Sequence, residues 1–280
     1  MKLTNYTVFF NDMINHGFEY ALKHTAELGF KAVEFLNIVE EGNPILTKTM
    51  PKEKIKELLD SYGLSVSCYS PGVNLLEGDI EKKERDMREN IELAAALGSP
   101  CFHHTVTMLL SPAPGNPSYD EVLERVFPVV DRLAAYCEEL GLICLYEPQG
   151  MYFNGIEGLK GLVDKLKANG RKVGICADFG NSFFVDEAPA EVIGAFIDDV
   201  RHVHVKDYVV SNEPVNGVVG LRSKGGKYLY DTEIGTGNSD VNACFELLKK
   251  IGYKGNISLE FDINDADTQK SMEIISEKMR

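Results

Sequence analysis

Positive charge is what this chain has least of for its size: 29 Lys and Arg face 43 Asp and Glu, a formal net charge of −14. A nucleic-acid surface must neutralise phosphates with clustered cations, and a basic stretch such as Arg222 to Lys227 holds only three. Nucleic acid is therefore not an expected partner. Long apolar runs are missing as well. No segment approaches the roughly 20 apolar residues of a membrane span, and the apolar run near the N-terminus is broken by Asn11 and Asp12 too early for a signal peptide. Neither a membrane nor a secretory route is expected. The six cysteines (Cys68, Cys101, Cys137, Cys144, Cys176, Cys244) have no CxxC spacing. They read as free core thiols of a protein in the reducing cytoplasm. With 44% hydrophobic and 26% charged residues over 280 positions and no low-complexity run, the chain is globular and long enough for one large barrel or two moderate domains.

What is present is a single rhythm. A short β-branched or aromatic run is followed by a loop, an amphipathic helix and a glycine that stops it. The runs are Tyr6–Phe10, Ala32–Leu36, Leu64–Tyr69, Cys101–His104, Leu142–Tyr146, Val173–Ala177, Val200–Val205 and Asn256–Phe261, eight in all. Between the second and third, Pro51 opens a helix and Gly63 closes it, with Ile55, Leu58, Leu59 and Tyr62 on one stripe. Leu28-Gly29, Leu97-Gly98, Leu140-Gly141, Asn169-Gly170 and Ile251-Gly252 repeat the stop. Eight units in 280 residues allow 35 residues each, the span of a strand, a crossover helix and two loops. The expected fold is α/β: one (β/α)8 TIM barrel over residues 1–280. The long irregular stretch Asp207 to Gly237 is expected over its C-terminal mouth.

Barrel enzymes keep their reactive groups at the C-terminal ends of the strands. Here the last four strands end on Glu147-Pro148, on Asp178-Phe-Gly-Asn181, in His202-Val-His204-Val-Lys206-Asp207, and on Glu260-Phe-Asp262. Each has an ordinary alternative. Glu147 can cap a helix, Asp178 can sit in a turn, and His202 and His204, which alternation sends to one face, can be satisfied core histidines. Glu260 is harder to dismiss, because a carboxylate closing an apolar central strand must be paired or metal-bound. Three carboxylates and an imidazole at the same end of four successive strands suit a divalent ion such as Mn²⁺, Mg²⁺ or Co²⁺.

These motifs, His202-Val-His204-Val-Lys206-Asp207 above all, resemble the xylose isomerase-like TIM-barrel superfamily over essentially the whole chain. That superfamily includes D-tagatose 3-epimerase and other sugar isomerases and epimerases, inosose dehydratases and endonuclease IV. The resemblance implies one metal held by Glu147, Asp178, His204 and Glu260, with 31, 26 and 56 residues between successive members. It makes His204 the ligand and leaves His202 beneath it. Mn²⁺ is the first choice of ion, with Mg²⁺, Co²⁺ or Zn²⁺ as alternatives. Two departures count. Asn181 stands where the family often has a histidine, and residues 208–237 contain no histidine, which speaks against the trinuclear zinc site of a DNA-repair nuclease.

The implied chemistry is removal of a proton from a carbon beside a carbonyl of a keto sugar or polyol, free or phosphorylated, through a metal-stabilised enediolate. Glu147 and Glu260 would be the base and acid, and Asp178 and His204 purely ligands. His104, favoured over His103, Asn181, Lys206, Asp207 and Glu34 are the candidate substrate-binding residues, although Lys206 can equally be a rim salt bridge and Glu34 a buried ion pair. Arg222-Ser-Lys224-Gly-Gly-Lys227 is the best anion clamp in the sequence, and Glu233 to Asp240 reads as a turn and helix cap. A dehydratase or lyase using the same site, and a sugar- or metal-binding barrel without catalysis, remain as alternatives. The resemblance is also compatible with a homodimer or homotetramer.

Overall fold

In the computed structural model, which describes residues 2–38, 50–260 and 264–279, the repeating units close on themselves. Strands β1 (Lys2–Asn5), β2 (Ala32–Ile38), β3 (Ser65–Gly72), β4 (Cys101–His103), β5 (Ile143–Tyr146), β6 (Val173–Asp178), β7 (Val200–Val205) and, after a small insertion, β11 (Asn256–Leu259) form a closed barrel. Every pairing is parallel, and β1 seals the ring between β11 and β2. The described helices around it are α1 (Thr7–His16), α2 (Phe18–Glu27), α3 (Lys52–Ser61), α4 (Ile80–Ala96), α5 (Tyr119–Glu139), α6 (Gly155–Ala168), α7 (Pro189–Ala195), α8 (Val241–Lys250) and α9 (Asp265–Lys278). None is long and apolar enough to cross a membrane. The fold is the expected (β/α)8 barrel. The expected helix stops are present too: Gly98 and Gly141, for instance, take φ of 74° and 76°, a conformation that costs glycine least.

Most of the core lies between barrel and helices, as the strand pattern dictates. Along β7, Val203 and Val205 point outward into a cluster with Phe179, Val241 and Phe245, so alternation turns His202 and His204 inward. The same parity sends Val33 and Phe35 out and Glu34 in on β2, and Phe102 out and His103 in on β4.

Two expectations are corrected. Tyr6–Phe10 is not the first strand. The strand is the more polar Lys2–Asn5, and Thr7 to His16 is helical. Asn5 causes the change: its side-chain oxygen accepts from the Phe9 amide at 3.0 Å, its amide group donates to Thr25 at 2.9 Å, and Phe10 already donates to the Tyr6 carbonyl. The Phe9 ring then packs edge-on against Phe18 and Phe35. Nor is Asp207 to Gly237 irregular. It holds β8 (Asp207–Ser211), β9 (Leu221–Arg222) and β10 (Tyr228–Thr232), an antiparallel sheet in the order β8-β10-β9. Phe261, expected in the last strand, and Asp262 lie outside the described residues.

Candidate metal centre

Glu147 follows β5, Asp178 ends β6, His204 lies near the end of β7, and Glu260 follows β11; these four strands are neighbours in the ring. Their inward parity brings the side chains together. His204 Nδ1 lies 3.1 Å from Glu147 Oε2, 3.4 Å from Glu260 Oε2 and 3.9 Å from Asp178 Oδ2. Asp178 is aimed by its own turn, since its Oδ1 accepts from the amides of Gly180 at 2.8 Å and Asn181 at 2.6 Å. The Lys206 ammonium, 2% exposed, lies 3.0 Å from Asp178 Oδ2 and 2.9 Å from Glu260 Oε2. The Tyr6 ring covers His204 at 5.0 Å between centroids.

The electrostatics follow from burying so many charges together. Burial raises the Glu147 carboxyl, but the charges available on His103, His204 and Lys206 outweigh it and hold it at about 2. Burial pushes His103 itself down to about 4, so at neutral pH the cations acting on Glu147 are His204 and Lys206. Burial lowers the His204 pKa, while Cys176, Glu34 and Glu147 raise it to well above the ordinary value. Because burial keeps Cys176 a thiol, the carboxylates are the partners that count. Glu260 goes the other way: burial and the neighbouring carboxylates push it up to about 7 despite Lys206 and His204.

The donor set fits a divalent cation. Glu147, Asp178 and His204 place ligand atoms within 4.8 Å of one another. Asp178 Oδ2 and Glu260 Oε2 are buried and accept no hydrogen bond, and the Lys206 ammonium, 3.0 and 2.9 Å away, supplies a positive charge beside them. Each oxygen keeps lone pairs that a divalent ion could take alongside that charge. Three carboxylates with one imidazole suit Mn²⁺, Mg²⁺ or Co²⁺ better than a thiolate-seeking ion.

The other expected site residues fare differently. Asn181 is buried beside Asp178, and Lys206 lies among the carboxylates. His104 is not the histidine facing the centre: its ring turns to Tyr146 at 5.3 Å, and its Nδ1 meets the Thr105 carbonyl. His103 faces Glu147, with Nε2 3.5 Å from Oε1, and neither of its ring nitrogens makes a hydrogen bond within the protein. The signal was available in Phe102, whose apolar ring claims the outward face and leaves the inward one to His103. Asp207 is occupied structurally. Its carboxylate accepts from the amides of Tyr208, Gly235, Gly237 and Ser239 at 2.9 to 3.0 Å, and so pins the turn before α8. A Cβ on Gly237 would lie 2.3 Å from that carboxylate, which is why glycine stands there. Glu34 is fully buried inside the barrel rather than at its mouth, bonded to His202, His204, Ser70 and Ser258. Ser70, Ser258 and Tyr6 carry no sequence signal that singles them out.

The Arg222–Lys227 clamp is already filled from within. Asp186 accepts from Ser223 and the Gly225 amide and pairs with Lys227 at 3.5 Å, while Arg222 stacks on Tyr228. Asp240 caps α8 through the Ala243 amide. A cavity of about 620 Å³ opens at the rim beside Tyr119, Tyr152, Glu187 and Lys224, but none of the four converging donors lines it.

Comparison with known proteins bears on the fold and the family. An uncharacterized protein of Methanocaldococcus jannaschii is 27% identical over 268 residues, covering 92% of this chain and 83% of its own length. A crystal structure of D-allulose 3-epimerase from Methylomonas sp. in complex with D-allulose superposes with a TM-score of 0.73 at 19% identity, over 99% of this chain and 97% of that one. A xylose isomerase-like TIM barrel protein from Mycobacterium smegmatis in complex with magnesium gives 0.73 at 16% identity, over 99% and 96%. The family model for xylose isomerase-like TIM barrels matches residues 22–278, and the chain belongs to that family.

Proposed function

We propose that the protein is a divalent-metal-dependent isomerase or epimerase of a keto sugar or polyol, working by proton transfer at a carbon next to a carbonyl. The observation that carries the reading is the buried cluster of Glu147, Asp178 and His204, with Glu260 beside it at 3.4 Å from His204 Nδ1. The magnesium and the D-allulose named for two structural relatives support it. Mn²⁺ is the ion we favour. A divalent ion bound there would supply Lewis acidity, offsetting the negative charge that develops on adjacent substrate oxygens as an enediolate forms.

The chain's own residues do the rest. Asp178 and His204 serve as ligands, Asp178 held rigid by the Gly180 and Asn181 amides. Glu147 and Glu260 flank that pair, because β5 and β11 lie on either side of β6 and β7 in the ring. One takes the proton at one face of the substrate and the other returns it at the opposite face. We assign His103, whose ring makes no hydrogen bond within the protein, together with Lys206 and Asn181, to bonding substrate oxygens. The low exposure of these groups keeps bulk water from screening the charges. We take the assembly to be a homodimer or homotetramer, which gives a light-scattering mass of two or four times 31.1 kDa.

The test is proton exchange. Metal-free and Mg²⁺-loaded protein are incubated in D₂O with free and phosphorylated ketoses and inososes and followed by NMR. The reading predicts metal-dependent deuterium incorporation next to the carbonyl, and an epimeric or isomeric product. An eliminated product would make the enzyme a lyase on the same site. No exchange with any substrate would favour a binding barrel without catalysis.

A further inference from the structure

We propose that Glu34 is the positioning residue of the metal centre: it holds His204 in the tautomer that carries its proton on Nε2 and presents the Nδ1 lone pair to the ion. The inference rests on the metal reading above and adds the role of a carboxylate that does not touch the substrate side.

Glu34 projects inward from β2 and is 0% exposed. Its carboxylate is surrounded by donors. Oε1 meets His204 Nε2 at 2.9 Å and accepts from the Ser70 hydroxyl; Oε2 meets His202 Nε2 at 2.7 Å and accepts from the Ser258 hydroxyl. An ionised carboxylate can only accept, so the imidazole nitrogen facing it must bear hydrogen. Nδ1 faces a carboxylate as well, Glu147 at 3.1 Å, so the ring carries hydrogen on both nitrogens until an ion takes the place of the one on Nδ1, the atom turned toward Glu147, Asp178 and Glu260, while the hydrogen on Nε2 stays with Glu34. The tautomer that Glu34 selects is thus the one an ion at those carboxylates requires. A carboxylate behind a ligating histidine also fixes the ring plane and raises the basicity of the ligating nitrogen. Ser70 and Ser258, from β3 and β11, hold the carboxylate from two sides, so its position does not depend on the ring it orients. Glu34 lies in sequence 170 residues from His204 and across the barrel from β7, which explains why the sequence hides the pairing.

The test reads metal binding and tautomer, not turnover. Mn²⁺ is titrated into the wild type, Glu34→Gln, Glu34→Asp and His204→Ala, with free Mn²⁺ measured by EPR. The expected result is a 10- to 100-fold loss of affinity in Glu34→Gln, in line with the loss of an outer carboxylate at other metal sites. Glu34→Asp, which keeps the charge, should recover part of it, and His204→Ala should bind least. In wild-type protein labelled with ¹⁵N-histidine and loaded with Mg²⁺, long-range ¹H–¹⁵N correlation should find hydrogen on His204 Nε2 and none on Nδ1. Equal affinity in the wild type and Glu34→Gln overturns the positioning role while leaving the metal centre intact. A wild type that binds no Mn²⁺ overturns both. Hydrogen on Nδ1 in the loaded wild type overturns the positioning role even if Glu34→Gln does not fold.

Discussion

At the residue scale, the four candidate donors were singled out because each stands at or next to a strand end where burial forces a choice. Asp178 ends β6 and His204 lies near the end of β7, Glu147 and Glu260 follow β5 and β11, and buried charges there need counter-charges. Glu147→Gln and His204→Ala should therefore each strip most of the bound metal from natively purified protein, by elemental analysis. A full equivalent retained in both would contradict the site. His103 and His104 were harder, because adjacent residues on a strand exchange roles with one step of parity; only the packing of Phe102 resolves them. His103→Ala should lower kcat/KM by about 10²-fold with metal content unchanged, the scale of a lost proton-transfer or substrate contact. His104→Ala should instead cost about 1–3 kcal/mol of stability in denaturant unfolding, since its ring is spent on Thr105 and Tyr146. The reverse pattern would show that the inward histidine is misassigned.

At the scale of elements, α3 followed from its stripe and the ends of α2, α4, α5, α6 and α8 from their glycine stops, whereas β1 did not. Lys2–Asn5 is short and polar, and the aromatic run after it looks like a strand until Asn5 bends the chain into α1. The small sheet of β8, β9 and β10 was hidden for a similar reason, as its strands are brief and anchored by distant groups. Asp207 is the anchor: Asp207→Ala leaves four backbone amides without their acceptor and should destabilise the protein by about 2–4 kcal/mol in chemical unfolding. A change below about 0.5 kcal/mol would mean the turn holds itself.

The junction of α1, α2 and α9 makes a pH prediction. His24 lies between Asp12, at 2.7 Å, and Asp265, at 3.2 Å. Burial lowers its pKa, but the hydrogen bonds and charges of the two aspartates outweigh burial and raise it above 6.5. The folded state thus binds this proton more tightly than the unfolded one. The stabilisation is present in full below about pH 6.5 and is lost as pH rises through the folded pKa. The Tm difference between wild type and His24→Gln should be largest near pH 5.5 and shrink toward pH 9; a difference that grows with pH would reverse the assignment.

For the whole molecule, the rhythm of the sequence was enough to specify a closed barrel because eight parallel strands with helical crossovers have few other ways to bury both faces. What the rhythm does not specify is which polar groups meet inside. Glu34 comes from β2 and His204 from β7, and only closure of the ring brings them into contact. The central claim is that closure also builds one metal centre from four neighbouring strands. It is tested most directly by crystals soaked in Mn²⁺ and an anomalous difference map at the manganese edge. The account predicts one dominant peak within about 2.5 Å of His204 Nδ1 and of oxygens from Glu147, Asp178 and Glu260. A map with no peak there, or with its dominant peak on other residues, would contradict it.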